Sequence, residues 1–322
     1  MNTIRIIKNR SDVGAGTRGS DMGVDAIEIA AINQENTFFN EFDYEDVKTE
    51  NESVYNKVNN SFAKRIDSVL HQCKRLANHV KVNLQEKRFP IVLSGDHSAA
   101  LGTISGVKAA YPKQRVGVVW IDAHADIHSP YSSPSGNIHG MPLAAALADD
   151  NLEHEINDVS RHTADLWERM KNIAIPGTKL LADDLVYFGV RDTEKPEDAQ
   201  IEKLGIKNYK VAEIRHRGLK TCVAEAIDRL KNCDVIYISF DVDSMDPDLI
   251  SDGTGTPVPK GFDQYEIIEI CNQFIETKRV VCVEFVEVNP LLDTKGSGNK
   301  MAETAFEILE KITVTIKEYN LN

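Results

Sequence analysis

The stretch VGVVWIDAH (116–124) decides the architecture: it runs apolar from Val116 to Ile121 and then breaks abruptly into Asp and His. A strand with one wet face would alternate, so an uninterrupted apolar run reads as a strand covered on both faces. Five further stretches share this form: IRII (4–7), PIVLSGDH (90–97), LVYFGVRD (185–192), DVIYISFDVD (234–243) and RVVCVEFVEVNP (279–290). Between them lie helical patterns. Val54, Val58, Phe62, Ile66, Val69, Cys73, Leu76 and Val80 recur at steps of three and four and predict one long amphipathic helix. Two more helices are predicted over 222–230 and 265–276, whereas 147–179 shows no usable period. Strand and helix in alternation predict an α/β fold: a central parallel sheet flanked by helices on both faces, a three-layer sandwich. No internal repeat or low-complexity linker interrupts the chain, so residues 1–322 read as one domain.

Composition narrows the function classes. The chain is 42% hydrophobic and 27% charged, an ordinary globular balance, and its net charge of −13 excludes the clustered basic surface that nucleic acid requires. Five cysteines stand apart with no CxxC pair, which fits reduced thiols better than a disulfide framework. Those at 222, 233, 271 and 282 lie in apolar segments and read as core filler. MNTIRIIKNRSD (1–12) lacks the apolar run of a secretory leader, and no window approaches the roughly 18 apolar residues of a membrane span. The expectation is a cytoplasmic protein with no membrane contact.

The polar residues fall where chemistry is expected. Four of the apolar runs end in GDH, DAHAD, DVD and EVNP. In open α/β sheets ligands bind outside the carboxyl ends of the strands, so these ends would bring His97, Asp122, His124, Asp126, Asp241, Asp243 and Glu287 to one crevice. On an extended chain residues two apart share a face, which groups Asp122 with His124 and Asp126, and Asp241 with Asp243. Four bare carboxylates would repel and raise one another's pKa values; two divalent cations would cancel the charge. No cysteine belongs to the set, which argues against structural zinc. An oxygen-rich set with one imidazole per ion suits Mn²⁺, with Fe²⁺, Co²⁺ and Ni²⁺ as competitors. Six ligands for two ions require shared carboxylates, for which Asp122 and Asp241 are the candidates, and a water held between two such ions becomes a hydroxide nucleophile. A lone DxD at a strand end serves as a turn or helix cap more often than as a metal site. The weight rests on the three motifs together.

With these residues in place, the sequence resembles the ureohydrolase superfamily, and within it the arginases most closely. The stretches that carry the resemblance are SGDHSAALGTISG (94–106), WIDAHADIHSPYSSPSGNIHG (120–140), SFDVDSMDPD (239–248), GTGTPV (253–258) and EFVEVNP (284–290), with GAGTRGSDMGVDAIEIA (14–30) as a weaker N-terminal match. The resemblance implies an eight-stranded parallel sheet and a binuclear manganese centre, two Mn²⁺ per subunit. One ion would take His97, Asp122, Asp126 and Asp241, and the other His124, Asp122, Asp241 and Asp243. It also implies a homo-oligomer, a trimer or hexamer.

The implied reaction is hydrolysis of the guanidinium of L-arginine to L-ornithine and urea. A guanidinium is delocalised and a poor electrophile, so it needs a strong nucleophile, a carboxylate to orient it and a proton for the departing amine. By resemblance Glu287 is the orienting carboxylate, His139 the proton shuttle, and Thr256 an assisting hydroxyl or carbonyl contact. Asp126 counts with the catalytic set because its loss would strip a metal. In SPYSSPSGNIHG (129–140), Ser135 and Asn137 match contacts to the substrate carboxylate, and Ser133 stands where arginases commonly carry Thr. In RDTEKPE (191–197), Glu194 stands where an Asp usually meets the α-amino group, with Glu197 beside it.

Two departures bear on the substrate. His128 replaces an Asn that touches the carboxylate; an imidazole there either strengthens that contact or reshapes the pocket for another guanidino compound. VPKG (258–261) replaces a smaller glycine-rich segment, and Lys260 reads more readily as a solvated side chain than as a ligand of a substrate acid. The nearest alternative function is a related ureohydrolase acting on agmatine, guanidinobutyrate or another guanidino acid. A non-catalytic relative would have lost a ligand, and none of the six is missing. A phosphoester hydrolase would add cationic clamps, which these motifs lack.

Overall fold

The computed structural model describes residues 3–321. Eight strands form one sheet: β1 (Ile4–Asn9), β2 (Tyr44–Asp46), β3 (Phe89–Ser94), β4 (Val116–Ile121), β5 (Leu185–Phe188), β6 (Lys207–Tyr209), β7 (Val235–Asp241) and β8 (Val280–Val286). The order is β2-β1-β3-β8-β7-β4-β5-β6, and every neighbouring pair is parallel. The six predicted strands are all present. The edge strands β2 and β6, only YED and KNY, have too little apolar length to stand out in sequence.

Two apolar layers sandwich the sheet. Ile91, Leu93, Val119, Ile121, Ile236, Ile238 and Phe240 face one layer, with the helices Gly23–Asn33, Leu219–Arg229, Gln264–Ile275 and Lys300–Tyr319. Val92, Val118, Trp120 and Tyr237 face the other, with the helices Ile66–Gln85, Ala100–Ala110 and Arg161–Lys171. Alternate residues of each strand therefore serve opposite layers, and burying each such side chain contributes about 1.5–3 kcal/mol. This is the three-layer α/β sandwich expected from the continuous apolar runs. All five cysteines are buried free thiols, and among the described residues no helix is long and apolar enough to cross a membrane.

The predicted helix over Val54–Val80 is corrected at its start. It begins at Ile66; Val54 lies in a short 3-10 turn, Asn51–Tyr55, and Val58 is exposed. Arg65 adopts φ 58, a left-handed conformation that breaks the helix on its N-terminal side. The segment before it is held by a distant loop instead, with the Lys64 amide donating to Gly136 O at 2.7 Å. Gly136 has φ +70, and a Cβ there would lie 2.1 Å from Ser61 O, so only glycine permits this approach. The other two predicted helices run Leu219–Arg229 and Gln264–Ile275; in the second Asp263 and Glu266 form a reciprocal cap. Within 147–179 a helix spans Arg161–Lys171, capped by the Ser160 hydroxyl.

Candidate metal centre and pocket

The four acid-tipped strands, far apart in sequence, are the consecutive neighbours β3, β8, β7 and β4 at the middle of the sheet. Their carboxyl ends open on a cavity of about 310 Å³. Every candidate residue lines it except Asp122, which is fully buried behind it.

The side chains converge by a different route from the one the strand period predicts. β4 stops at Ile121, so Asp122, His124 and Asp126 lie beyond it, and Asp126 takes φ 49. Asp241 ends β7, whereas Asp243 lies in a 3-10 turn, Val242–Ser244. Turn amides, not strand alternation, aim the carboxylates. The amides of His124, Asp243 and Ala123 donate to Asp122 Oδ1 at 2.7 Å, Asp241 Oδ1 at 2.8 Å and Asp243 Oδ1 at 3.1 Å.

Two donor groups result. His97 Nδ1 lies 3.0 Å from Asp122 Oδ2 and 3.1 Å from both Asp126 Oδ2 and Asp241 Oδ2. None of these contacts has hydrogen-bond geometry, so this buried nitrogen is left without a partner. Its other nitrogen, Nε2, faces Ser239 Oγ at 2.8 Å, and the ring stacks on Trp120 at 4.0 Å. In the second group His124 Nδ1 lies 2.9 Å from Asp243 Oδ2 and 3.6 Å from Asp122 Oδ1. Asp122 thus offers one oxygen to each group. An orphaned imidazole nitrogen facing several carboxylate oxygens is an unsatisfied interior unless a cation sits among them, and the residues fit a pair of divalent ions.

Charge makes the same demand. Burial raises every one of the four carboxyl groups, but the nearby imidazoles of His124 and His97 overcome it at Asp122 and hold that group below the usual carboxylate range. At Asp126 burial and the Asp122 charge win and push it up to about 6. Asp241 and Asp243 are also raised, first by burial and then by neighbouring carboxylates. His97 and His124 are raised despite burial by the acids around them. Without cations the cluster keeps its acids apart by retaining protons; bound metal would displace them.

Beside the donors sits Glu287, buried and at φ 66 just past β8. Its amide donates to Gly95 O at 2.7 Å, its Oε1 accepts from the His97 amide at 2.9 Å, and the same oxygen faces His139 Nδ1 at 3.2 Å. Burial opposes protonation of His139, but the hydrogen bond and charge of Glu287 prevail and raise it to about 9. Thr256 is exposed at the rim, its hydroxyl donating to Asp243 Oδ2 at 3.3 Å.

The outer end is built from a loop and a helix start. Ser133 Oγ accepts from the Gly136 amide at 3.0 Å, Ser135 Oγ from the Asn137 amide at 3.2 Å, and Asn137 Oδ1 from Lys64 Nζ at 3.1 Å. Opposite them, Glu194 caps the helix Lys195–Leu204, with Glu197 returning the bond to its amide at 3.0 Å. His128 Nε2 reaches Glu194 Oε2 at 2.9 Å. These contacts lower Glu194 to about 2, the His128 hydrogen bond first, while burial and Glu194 push Glu197 up to about 9. Lys260 is exposed and does not line the cavity.

Several supporting residues were not singled out from the sequence. Trp120 donates its indole N–H to Asp122 Oδ2 at 2.8 Å while stacking on His97, and Asp192 Oδ2 stands 3.7 Å from His124 Nε2. Arg191 ties the pocket wall together through the carbonyls of Gly189, Asp243 and Val258. Trp120 and Ser239 lie two residues before a donor, one strand period away, and that spacing is the signal that could have found them.

Comparison with known proteins agrees over the same span. Residues 2–314 match the Arginase family. The arginase of Bacillus subtilis (strain 168) is 34% identical over 312 residues, covering 96% of this chain and 97% of its own. The Bacillus caldovelox arginase structure superposes with a TM-score of 0.80 at 34% identity, covering 97% of this chain and 98% of that one. The Entamoeba histolytica arginase, solved in complex with L-ornithine, gives 0.78 at 26% identity, with 96% and 99% covered. Matched by the family over residues 2–314 and by relatives of about one-third identity along nearly its whole length, the chain belongs to the arginase family.

Proposed function

We propose that this protein hydrolyses L-arginine to L-ornithine and urea, the whole chain 1–322 acting as one catalytic domain. The observation that carries the reading is the orphaned His97 Nδ1 facing three carboxylates, directly beside the buried Glu287. The six donors would hold two divalent cations, His97, Asp122, Asp126 and Asp241 for one and His124, Asp122, Asp241 and Asp243 for the other. Mn²⁺ is the proposed metal, because carboxylate-rich sites with one imidazole per ion suit it; Co²⁺, Ni²⁺ and Fe²⁺ are substitutes. When bound, the pair supplies Lewis acidity and a water of lowered pKa.

The chain's own residues do the rest. Glu287 accepts from the planar guanidinium and orients it toward the donors, a match of carboxylate to fork that a point charge would not give. His139 holds a proton at the rim of the same carboxylate and delivers it to the departing amine. Thr256 steadies Asp243 from the opposite side. Ser133, Ser135 and Asn137 present neutral donors to the substrate carboxylate, while Glu194 and Glu197 face its amino group. Relatives that carry the name arginase at about one-third identity support arginine as the substrate, as does the L-ornithine bound to the Entamoeba histolytica protein. The protein is proposed to work in the cytoplasm as a trimer or hexamer.

A second reading, hydrolysis of agmatine or of a guanidino acid such as guanidinobutyrate, is favoured by one observation: the buried imidazole of His128 lines the cavity beside Glu194. A panel of these compounds with manganese-reconstituted protein, scored for urea and for the amine product together, tests both. Urea with ornithine from arginine is expected. Preference for agmatine would replace the first reading with the second, and no urea from any compound would refute both.

A further inference from the structure

We infer that His128 is a positioning residue for Glu194: it sets this carboxylate to read the amino end of the substrate and does not itself bind the substrate carboxylate. The inference rests on the guanidino-hydrolase reading above and concerns only how the far end of the substrate is recognised.

His128 is 5% exposed and both its ring nitrogens are taken. Nδ1 lies 3.1 Å from Ser132 Oγ, and that hydroxyl is itself held by the Ser129 amide at 3.1 Å. Nε2 lies 2.9 Å from Glu194 Oε2 and 3.5 Å from Glu197 Oε2. A carboxylate only accepts, so Nε2 donates to Glu194. For the ring to turn to an incoming carboxylate it would have to abandon a charge-assisted bond inside the protein, at a cost that a shared, partly solvated contact does not return.

Glu194 is the reverse case. Its side chain is 56% exposed and lines the cavity, yet it is anchored from two sides: by His128 Nε2, and by the backbone of the helix it caps. Its remaining acceptor capacity is open to the cavity, which suits an ammonium group. The neutral donors of the opposite loop, Ser135 and Asn137, are left for the carboxylate. Histidine in this position therefore supports the acidic wall of the pocket. An Asn side chain there is shorter than the imidazole and would leave Glu194 to hold its own orientation.

The test uses two compounds that divide the amino-acid end of arginine. Agmatine keeps the amine and lacks the carboxylate; 5-guanidinopentanoate keeps the carboxylate and lacks the amine. With metal-reconstituted protein, His128→Ala is expected to raise KM about five- to tenfold for L-arginine and agmatine, to leave 5-guanidinopentanoate within about twofold, and to change kcat little. In a double-mutant cycle His128→Ala should add nothing once Glu194 is already Ala. The opposite split, with 5-guanidinopentanoate impaired and agmatine spared, makes His128 a carboxylate ligand and overturns the inference. An equal rise for all three compounds reduces His128 to packing and overturns it too. If the unmutated protein releases urea from none of them, the hydrolase reading fails separately. Calorimetric binding of the same three compounds, then not turned over, reads the same split, and absence of binding by any of them also sinks the inference.

Discussion

Turn amides orient side chains at both ends of the cavity, but what is added to them differs. At the inner end Asp122, Asp241 and Asp243 are aimed by backbone amides of tight turns, and Asp126 and Glu287 both sit in left-handed conformations that only the surrounding structure sustains. At the outer end turn and helix-start amides hold Ser133, Ser135 and the Glu194–Glu197 cap, and side chains from elsewhere add a second restraint, His128 on Glu194 and Lys64 on Asn137. An aim set by backbone geometry tolerates no change of side-chain length, because a Glu for Asp overshoots a fixed point. Side chains that hold one another can be exchanged in groups. The departures expected from the sequence resemblance, His128, Ser133, Glu194 and the VPKG segment (258–261), all lie outside the six inner donors.

The difference is broken most directly at Asp126. Its carboxylate is one of three around His97 Nδ1, so Asp126→Ala should release one metal per chain and cut turnover by more than the 10–100-fold typical of outer-shell losses. Metal analysis after dialysis, alongside urea release, checks this. Full activity at unchanged metal content would mean that the inner end is not a metal centre. Glu287→Gln comes next. The amide keeps an oxygen for the His97 amide but removes the charge proposed to orient the guanidinium, so kcat/KM should fall about a hundredfold while metal content stays the same. Loss of metal in that variant would show that Glu287 belongs with the donors and not with the substrate.

A smaller effect belongs to the metal-free protein. Glu287 raises His139 from an ordinary value near 6.5 to about 9, so the folded state holds that proton more tightly than the unfolded chain. The resulting stability is fully present below about pH 6.5 and is lost as pH rises through 9. Melting curves of metal-free wild-type and His139→Asn protein should therefore differ most below pH 6.5, by about 2–4 °C, and converge above pH 9. A gap that widens with pH would reverse the sign and remove the ion pair from the account.

Six strands and the converging donors were legible because their signals are local: an unbroken apolar run, then an acid or an imidazole. Edge strands β2 and β6 were not, since three polar-leaning residues gain a strand conformation only from the neighbour they pair with. The start of the helix at Ile66 was misread for a related reason. The three-four stripe continues back to Val54, but the contact of Ser61 and Lys64 with Gly136, some seventy residues away, overrides it. Likewise the grouping of Asp122, His124 and Asp126 was anticipated from a strand period that does not operate there, because the strand has already ended. Sequence spacing identified the residues; turn geometry, invisible in it, explains why they meet.

The finest distinction between the two ends is offered by Ser135→Ala. Ser135 is exposed, and its hydroxyl accepts from the Asn137 amide at 3.2 Å, so it shapes the loop that we propose receives the substrate carboxylate. A partly solvated, neutral hydrogen bond is worth about 0.5–1.5 kcal/mol, a change of about two- to tenfold. The loss should appear in KM for L-arginine, spare agmatine, which has no carboxylate, and leave kcat and metal content alone. Should this single hydroxyl cost as much as the charge of Glu287, the outer end would be as rigidly specified as the inner one. Substrate choice would then have to be sought in the turn amides that both ends share.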